Sequence, residues 1–416
     1  VQVEEQYESS VRYYCRVFPD VFARGRGARI TARSGKQYLD FFAGAGVLNY
    51  GHNPPPLKQA LIDYLAADGI VQSLDMATEA KEAFLQGFNQ TILAPRKLAY
   101  RMLFPGPTGA NCVEAALKLA RRTTGRRCVV AFKGGFHGMS LGALAATSNE
   151  FHRAGAGVPL GDVILLPFAA EASQAEDALL ALTRLLDAAK SDAEKPAACI
   201  VETVQGEGGI HVAAYAWLRR LESLCRDHRV LLIVDDIQAG CGRTGSFFSF
   251  EPSGIVPDIV CLSKSLSGIG LPLSLVLVKP ECDVLLPGQH SGTFRGNNLA
   301  FVTATKALEC YWRDGLLMDA VAAKAALMEA RLDAIAAASP QHIVGRRGRG
   351  LMQGLVFDRQ VSARAAQMHC FERGLIIETC GSDGEVLKML CPLTIEKEEL
   401  LAGLEIIAEA AGTAPD

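Results

Sequence analysis

No uninterrupted apolar run in this chain approaches the roughly 18 residues that a membrane-spanning helix needs, although 49% of its 416 residues are hydrophobic. The apolar residues are therefore expected in a core. A chain this long can bury a large one, as two domains or as one large and one small lobe. Neither sign of charge dominates: 42 basic against 45 acidic side chains leave a net charge of −3. That balance gives no electrostatic case for nucleic acid or for an anionic membrane surface as partner. The twelve cysteines contain no Cys-x-x-Cys pair, and Cys15, Cys112, Cys128, Cys199, Cys225 and Cys241 fall at irregular spacings. They read as reduced, mostly buried thiols and not as a disulfide framework. The eight histidines form no His-Glu-x-x-His and no paired Cys/His spacing, so no metal is expected in catalysis. The acidic, polar start from Val1 to Glu8 does not resemble a signal peptide, and the expected location is cytoplasmic. Internal repeats and low-complexity linkers are absent as well.

Against that background one stretch stands out. Ile259, Val260 and Leu262 suit a buried strand, and Ser263, Lys264, Ser265, Gly268 and Gly270 follow it. Small residues there let a ligand approach the backbone closely. A lone lysine ending a strand is usually solvated. In a partly desolvated pocket its pKa falls, the neutral amine becomes nucleophilic, and it can condense with an aldehyde.

The upstream segment favours the second reading. Val230 to Val234 form another apolar run, and it ends in Asp235 and Asp236. If the two strands are parallel neighbours in an open α/β sheet, Asp235 and Lys264 emerge at the same carboxyl edge, where such sheets bind ligands. An amine facing a carboxylate is what pyridoxal phosphate requires: a lysine for its aldehyde, and an aspartate to keep its pyridine nitrogen protonated. Asp236 is the rival for the second role, but strand alternation points its side chain the opposite way.

These residues carry a family resemblance. Asp235 to Gly245, followed by Ser263-Lys264-Ser265, resembles the class III (ornithine/GABA type) aminotransferases of pyridoxal-phosphate fold type I. Phe41 to His52, Gly106 to Lys118, Val201 to Gly209 and Gly292 to Asn298 extend the likeness almost end to end. More narrowly, the chain is similar to the diaminobutyrate–2-oxoglutarate transaminases of ectoine biosynthesis. The resemblance implies an α/β protein with a large, mostly parallel sheet domain at residues 51–299. A small α/β domain, 1–50 and 300–416, would be drawn from both termini. It also implies amino and keto acids as small-molecule partners, and a homodimer or higher homo-oligomer.

The resemblance further assigns roles by position. Lys264 and Asp235 become catalytic. Gly109 and Ala110, in the loop that leads into a helix read from Cys112 to Arg121, donate backbone N–H groups to the cofactor phosphate, a task that helix N-termini perform readily. Phe136 stacks on the pyridine ring, Gln238 bonds the phenolic oxygen, and Thr293 reaches the phosphate of the neighbouring subunit. On the substrate side Glu207 corresponds to an acid that relatives pair with an arginine, and the pairing position here holds Lys388. A lysine offers a point charge instead of a bidentate fork. Met139 stands where many relatives carry a carboxylate-binding arginine, which leaves the keto-acid anchor unassigned. His137 reads as structural.

The implied reaction is transamination between L-2,4-diaminobutyrate and 2-oxoglutarate, giving L-aspartate 4-semialdehyde and L-glutamate. The rivals are another ω-aminotransferase that uses glutamate on a secondary-metabolite aldehyde or ketone, and a binding protein of the same fold without turnover.

Overall fold

The computed structural model describes residues 2–169 and 172–412. At its centre is a seven-stranded sheet in the spatial order 101–103, 275–278, 259–262, 231–235, 198–201, 129–132 and 163–166. The five strands from 259–262 to 163–166 are parallel, whereas 275–278 runs antiparallel to both of its neighbours. Val129–Phe132, Ala198–Val201, Ile259–Leu262 and Leu275–Val278 are buried along their whole length, as strands covered on both faces must be. Alternate residues supply opposite faces. Val260 and Leu262 join a cluster with Trp217, Leu218 and Leu221 of helix Tyr215–Asp227. Ile259 and Cys261 join another with Val113 and Leu117 of helix Gly109–Thr124. Each large aliphatic side chain so buried contributes roughly 1.5–3 kcal/mol.

The terminal segments build two further sheets. Strands 22–26, 29–32 and 37–40 are joined by 375–376 from the far end of the chain, and 343–349, 352–357, 386–389 and 378–380 form an antiparallel sheet. Strands 29–32 and 37–40 form a hairpin about Ser34 and Gly35, with Gly35 at φ +90° supplying the turn. One helix start differs from the sequence reading. The helix expected from Cys112 begins at Gly109, because Thr108 already caps it. The closing helix is Lys397–Gly412, and ahead of it the Ile395 N–H donates to the Pro392 carbonyl at 3.1 Å. Residues 170 and 171 lie outside the described residues, as does Val1, and a helix follows at Ala172–Ala188.

Strand order sets where a ligand can bind. The chain runs from 129–132 outward to 163–166, then returns to place 198–201 on the other side of 129–132. The loops after 129–132 and 198–201 therefore diverge, leaving a crevice at the carboxyl edge.

Arg243, just past the Asp235 strand, ties this region to the terminal segments. Its fully buried guanidinium donates to the carbonyls of Cys391 (2.5 Å) and Leu351 (3.2 Å) and to Asn49 Oδ1 (2.5 Å). Among the described residues no carboxylate pairs with it, and burial pulls its pKa down to about 10. Replacing Arg243 by leucine would leave these acceptors without their donor in a dry interior. The expected cost is about 3 kcal/mol, read as a lower urea midpoint in equilibrium unfolding.

Candidate active site

Asp235 ends its strand beside Cys261 of the parallel neighbour, and the chain continues from there to Lys264. The aspartate and the lysine thus leave the sheet at the same edge. Lys264 opens a tight turn with φ +50°, a left-handed backbone that a side-chain-bearing residue adopts at a cost of about 1 kcal/mol or more. Its Nζ donates to the Ala45 carbonyl at 2.9 Å. Burial lowers the pKa of the ammonium, against the opposing pull of Glu207. Gly44 and Ala45, at φ +61° and +58°, turn that carbonyl inward, and Gln238 Nε2 donates to it too, at 3.0 Å.

Asp235 is held from the crevice side. His137 Nδ1 lies 2.7 Å from its Oδ2, both side chains being buried, and the Ile237 N–H donates to Oδ1 at 3.2 Å. Burial alone would depress the histidine, but the hydrogen bond and charge of Asp235 raise its pKa overall. Asp236 points away, as alternation requires: it accepts from the N–H (3.0 Å) and hydroxyl of Ser249, and burial pushes its pKa up to about 7. Glu202 joins the two diverging loops, accepting from the N–H groups of Phe136 (3.0 Å) and Gly206 (3.1 Å). Burial pushes its carboxyl up to about 7 as well.

The remaining expected residues fall around this centre. Helix Gly109–Thr124 starts at the same edge, since strand 101–103 leads into it. Thr108 Oγ1 accepts from the Asn111 N–H and Asn111 Oδ1 accepts from the Thr108 N–H, so the N–H groups of Gly109 and Ala110 are the ones the helix itself does not use. Phe136 is half-buried, its ring 5.8 Å from that of His152. A Cβ on Gly206 would meet Gln238 Oε1 at 1.8 Å, so only glycine lets the amide lie there. Thr293 stands apart: it is exposed, and its carbonyl accepts from Gln72 Nε2 at 2.6 Å. Met139 is exposed too.

Glu207 and Lys388 do meet. Lys388, wholly buried, donates to Glu207 Oε1 at 2.7 Å, and Gln238 Nε2 reaches the same oxygen at 3.3 Å. Although burial opposes it, the Lys388 charge holds the Glu207 carboxyl down at about 2. The sequence reading missed a third member, Glu378, whose Oε1 lies 2.9 Å from the same ammonium. It also read His137 as structural and gave Glu202 no partner. The available signals were slight: a histidine beside Phe136, and a single acid inside the apolar run from Leu375 to Cys380.

Residues 14–411 match the family described as aminotransferase class-III. The chain belongs to that family. This aminotransferase is 56% identical over 408 residues to a diaminobutyrate–2-oxoglutarate transaminase of Streptomyces anulatus, covering 98% of this chain and 97% of the relative. It is 53% identical over 407 residues to a transaminase of the same name from Vibrio cholerae serotype O1, covering 98% of each. Among solved structures, the ornithine aminotransferase of Toxoplasma gondii matches with a TM-score of 0.85 at 28% identity, over 99% of this chain and 93% of that one. The acetylornithine aminotransferase of Elizabethkingia anophelis matches at 0.79 and 25%, over 98% and 97%. The fold is the pyridoxal-phosphate fold type I, and the enzyme is a pyridoxal-phosphate-dependent aminotransferase.

The aminotransferase's own residues fit that cofactor. An amine, a carboxylate and two helix-terminal N–H groups line one edge, and Gln238 Oε1 is buried without a hydrogen-bond partner, suited to a phenolic hydrogen. Among the described residues, no group of three or more His, Cys, Asp or Glu could hold a metal, and no helix is long and apolar enough to cross a membrane.

Paired substitutions separate the two aspartates. Asp235→Asn is expected to lower transamination on the order of 100-fold, the scale of a preorganised electrostatic contact, whereas Asp236→Asn leaves turnover near wild type. Asp236→Asn should instead change stability. A carboxyl with its folded pKa raised to about 7 contributes stability that is present below its unfolded value and lost as pH rises through 7. The variant should therefore lose less stability than wild type between pH 5 and pH 8, read by urea midpoints at the two pH values.

Proposed function

We propose that this enzyme interconverts L-2,4-diaminobutyrate plus 2-oxoglutarate with L-aspartate 4-semialdehyde plus L-glutamate, glutamate being the amine donor in the biosynthetic direction. The observation that carries the reading is the near full-length identity to transaminases so named. Lys388 paired with Glu207 and the exposed Met139 support it, since they set this site apart from one built around carboxylate-binding arginines.

The cofactor, when bound, supplies an electron sink for charge that develops at the substrate carbon. In this reading Lys264 would hold the cofactor through its aldehyde carbon. Neutral because its site is desolvated, the lysine amine would, once freed by substrate, take the proton from the substrate carbon and deliver it to that former aldehyde carbon. Asp235, oriented by His137, keeps the pyridine nitrogen protonated. Gln238 accepts the phenolic hydrogen, Phe136 lies against the ring, and the Gly109 and Ala110 N–H groups hold the phosphate. Glu207 and Lys388 line the substrate side. Thr293, exposed in this chain, serves the phosphate of a second copy, so the working unit is a homodimer or a larger homo-oligomer. The enzyme works in the cytoplasm.

Single-turnover absorbance tests the substrate pair. Protein loaded with pyridoxal phosphate is mixed in turn with L-2,4-diaminobutyrate, L-glutamate, L-ornithine and GABA. Rapid conversion of the cofactor band is expected with the first two and slow conversion with the others. Conversion by glutamate alone would contradict the diaminobutyrate assignment, and no band after addition of the cofactor would contradict the enzyme reading.

A further inference from the structure

Lys388 is held from two sides, and the two holders differ. Glu378 sits directly opposite it on the adjoining antiparallel strand, a cross-strand pair on one face, and is fixed there by the sheet. Its side chain is 5% exposed. Glu207 belongs to the 206–209 loop and is 32% exposed, so it is the partner free to turn. Glu378 Oε1, 2.9 Å from the ammonium, lies outside hydrogen-bond geometry and has no hydrogen-bond partner. Its Oε2 accepts from the Tyr14 hydroxyl at 3.4 Å. The ionisable groups facing Glu378 are Lys388 from the adjoining strand, Glu207 from the loop, Lys264 beyond the Ile259–Leu262 strand, Tyr14 from the N-terminal segment and Cys380.

Two carboxylates thus answer one ammonium. With a single carboxylate partner, departure of that carboxylate would free a cation for an incoming substrate carboxylate. Here, when Glu207 turns toward an incoming ammonium, Lys388 stays neutralised by Glu378. The wall then offers a bare carboxylate and no bare cation. We propose that Glu378 is the specificity-determining positioning residue of this site. By holding Lys388 independently of Glu207 it keeps the wall selective for a substrate with a second ammonium, and a dicarboxylate gains Lys388 only when Glu378 takes up a proton from solvent. Burial pushes this carboxyl up to about 7, so the exchange falls within the working range. The inference rests on the reading that the site alternates between a diamino acid and glutamate. Failure of that reading would show separately, as no cofactor conversion by either amine.

Glutarate, a dicarboxylate with neither amine nor carbonyl to react, is the probe. Its binding to cofactor-loaded protein is measured by calorimetry at pH 6.5 and 8.5, and near pH 7.5 in buffers of different ionisation enthalpy, which counts protons taken up. Wild type should bind glutarate roughly tenfold more weakly at the higher pH, because the site is closed to an anion once Glu378 ionises, and should take up close to one proton on binding. Glu378→Gln should bind tightly at both pH values without that proton, and Glu378→Asp should restore the pH dependence. In turnover, Glu378→Gln should lower KM for glutamate and raise it for diaminobutyrate. A residue that merely supported the fold would shift both alike. Proton uptake unchanged in Glu378→Gln, or both KM values moving together, would overturn the proposal. Should Glu378→Gln fail to load cofactor, wild type decides: no glutarate binding at pH 6.5, equal affinity at both pH values, or binding without proton uptake overturns it.

Discussion

The parallel register of strands 231–235 and 259–262 is the constraint on which the rest depends. It brings an aspartate and a lysine out at one edge of a buried sheet, where water is displaced and unpaired charge is costly. Every charged group gathered there is then answered locally. His137 meets Asp235, backbone N–H groups meet Glu202, and the ammonium of Lys388 is held between Glu207 and Glu378. The Lys264 ammonium has a carbonyl for its hydrogen-bond partner. Burial lowers its pKa, whereas Lys388, although burial opposes it, is raised by the charges of Glu207 and Glu378. Two lysines in one crevice are thereby given opposite characters, one with its charged form disfavoured and one held as a cation.

Topology explains why these groups meet. His137 and Glu202 follow the two strands that flank the switch in strand order, so residues distant in sequence face one another across the crevice. The terminal segments close it from the other side. Lys388 and Glu378 come from the antiparallel sheet near the C-terminus, Ala45 from the turn after the first hairpin, and Arg243 ties that region to the Asp235 strand through carbonyls and Asn49. The site is assembled from both ends of the chain and its middle, so it forms only when all three have packed.

Much of this was legible in the sequence for identifiable reasons. Strands covered on both faces must be apolar throughout, which made Ile259–Leu262 and Leu231–Val234 readable. Period-two alternation separated Asp235 from Asp236, whereas the helix that Thr108 caps begins earlier than its apolar pattern suggested. The pairings were not legible. That His137 meets Asp235 follows from strand order, which no local pattern encodes. That Glu378 faces Lys388 follows from register in a small sheet, and Ala45 reaches its inward-facing carbonyl through a left-handed backbone usually left to glycine.

Lys264, and not the fixed cation Lys388, is the lysine proposed to bind the cofactor aldehyde. The most direct test is borohydride reduction of the protein loaded with pyridoxal phosphate, followed by mass-spectrometric mapping of its peptides. The account predicts the reduced cofactor on the peptide that carries Lys264. Label on Lys388 or on a surface lysine, with Lys264 unmodified, would contradict it.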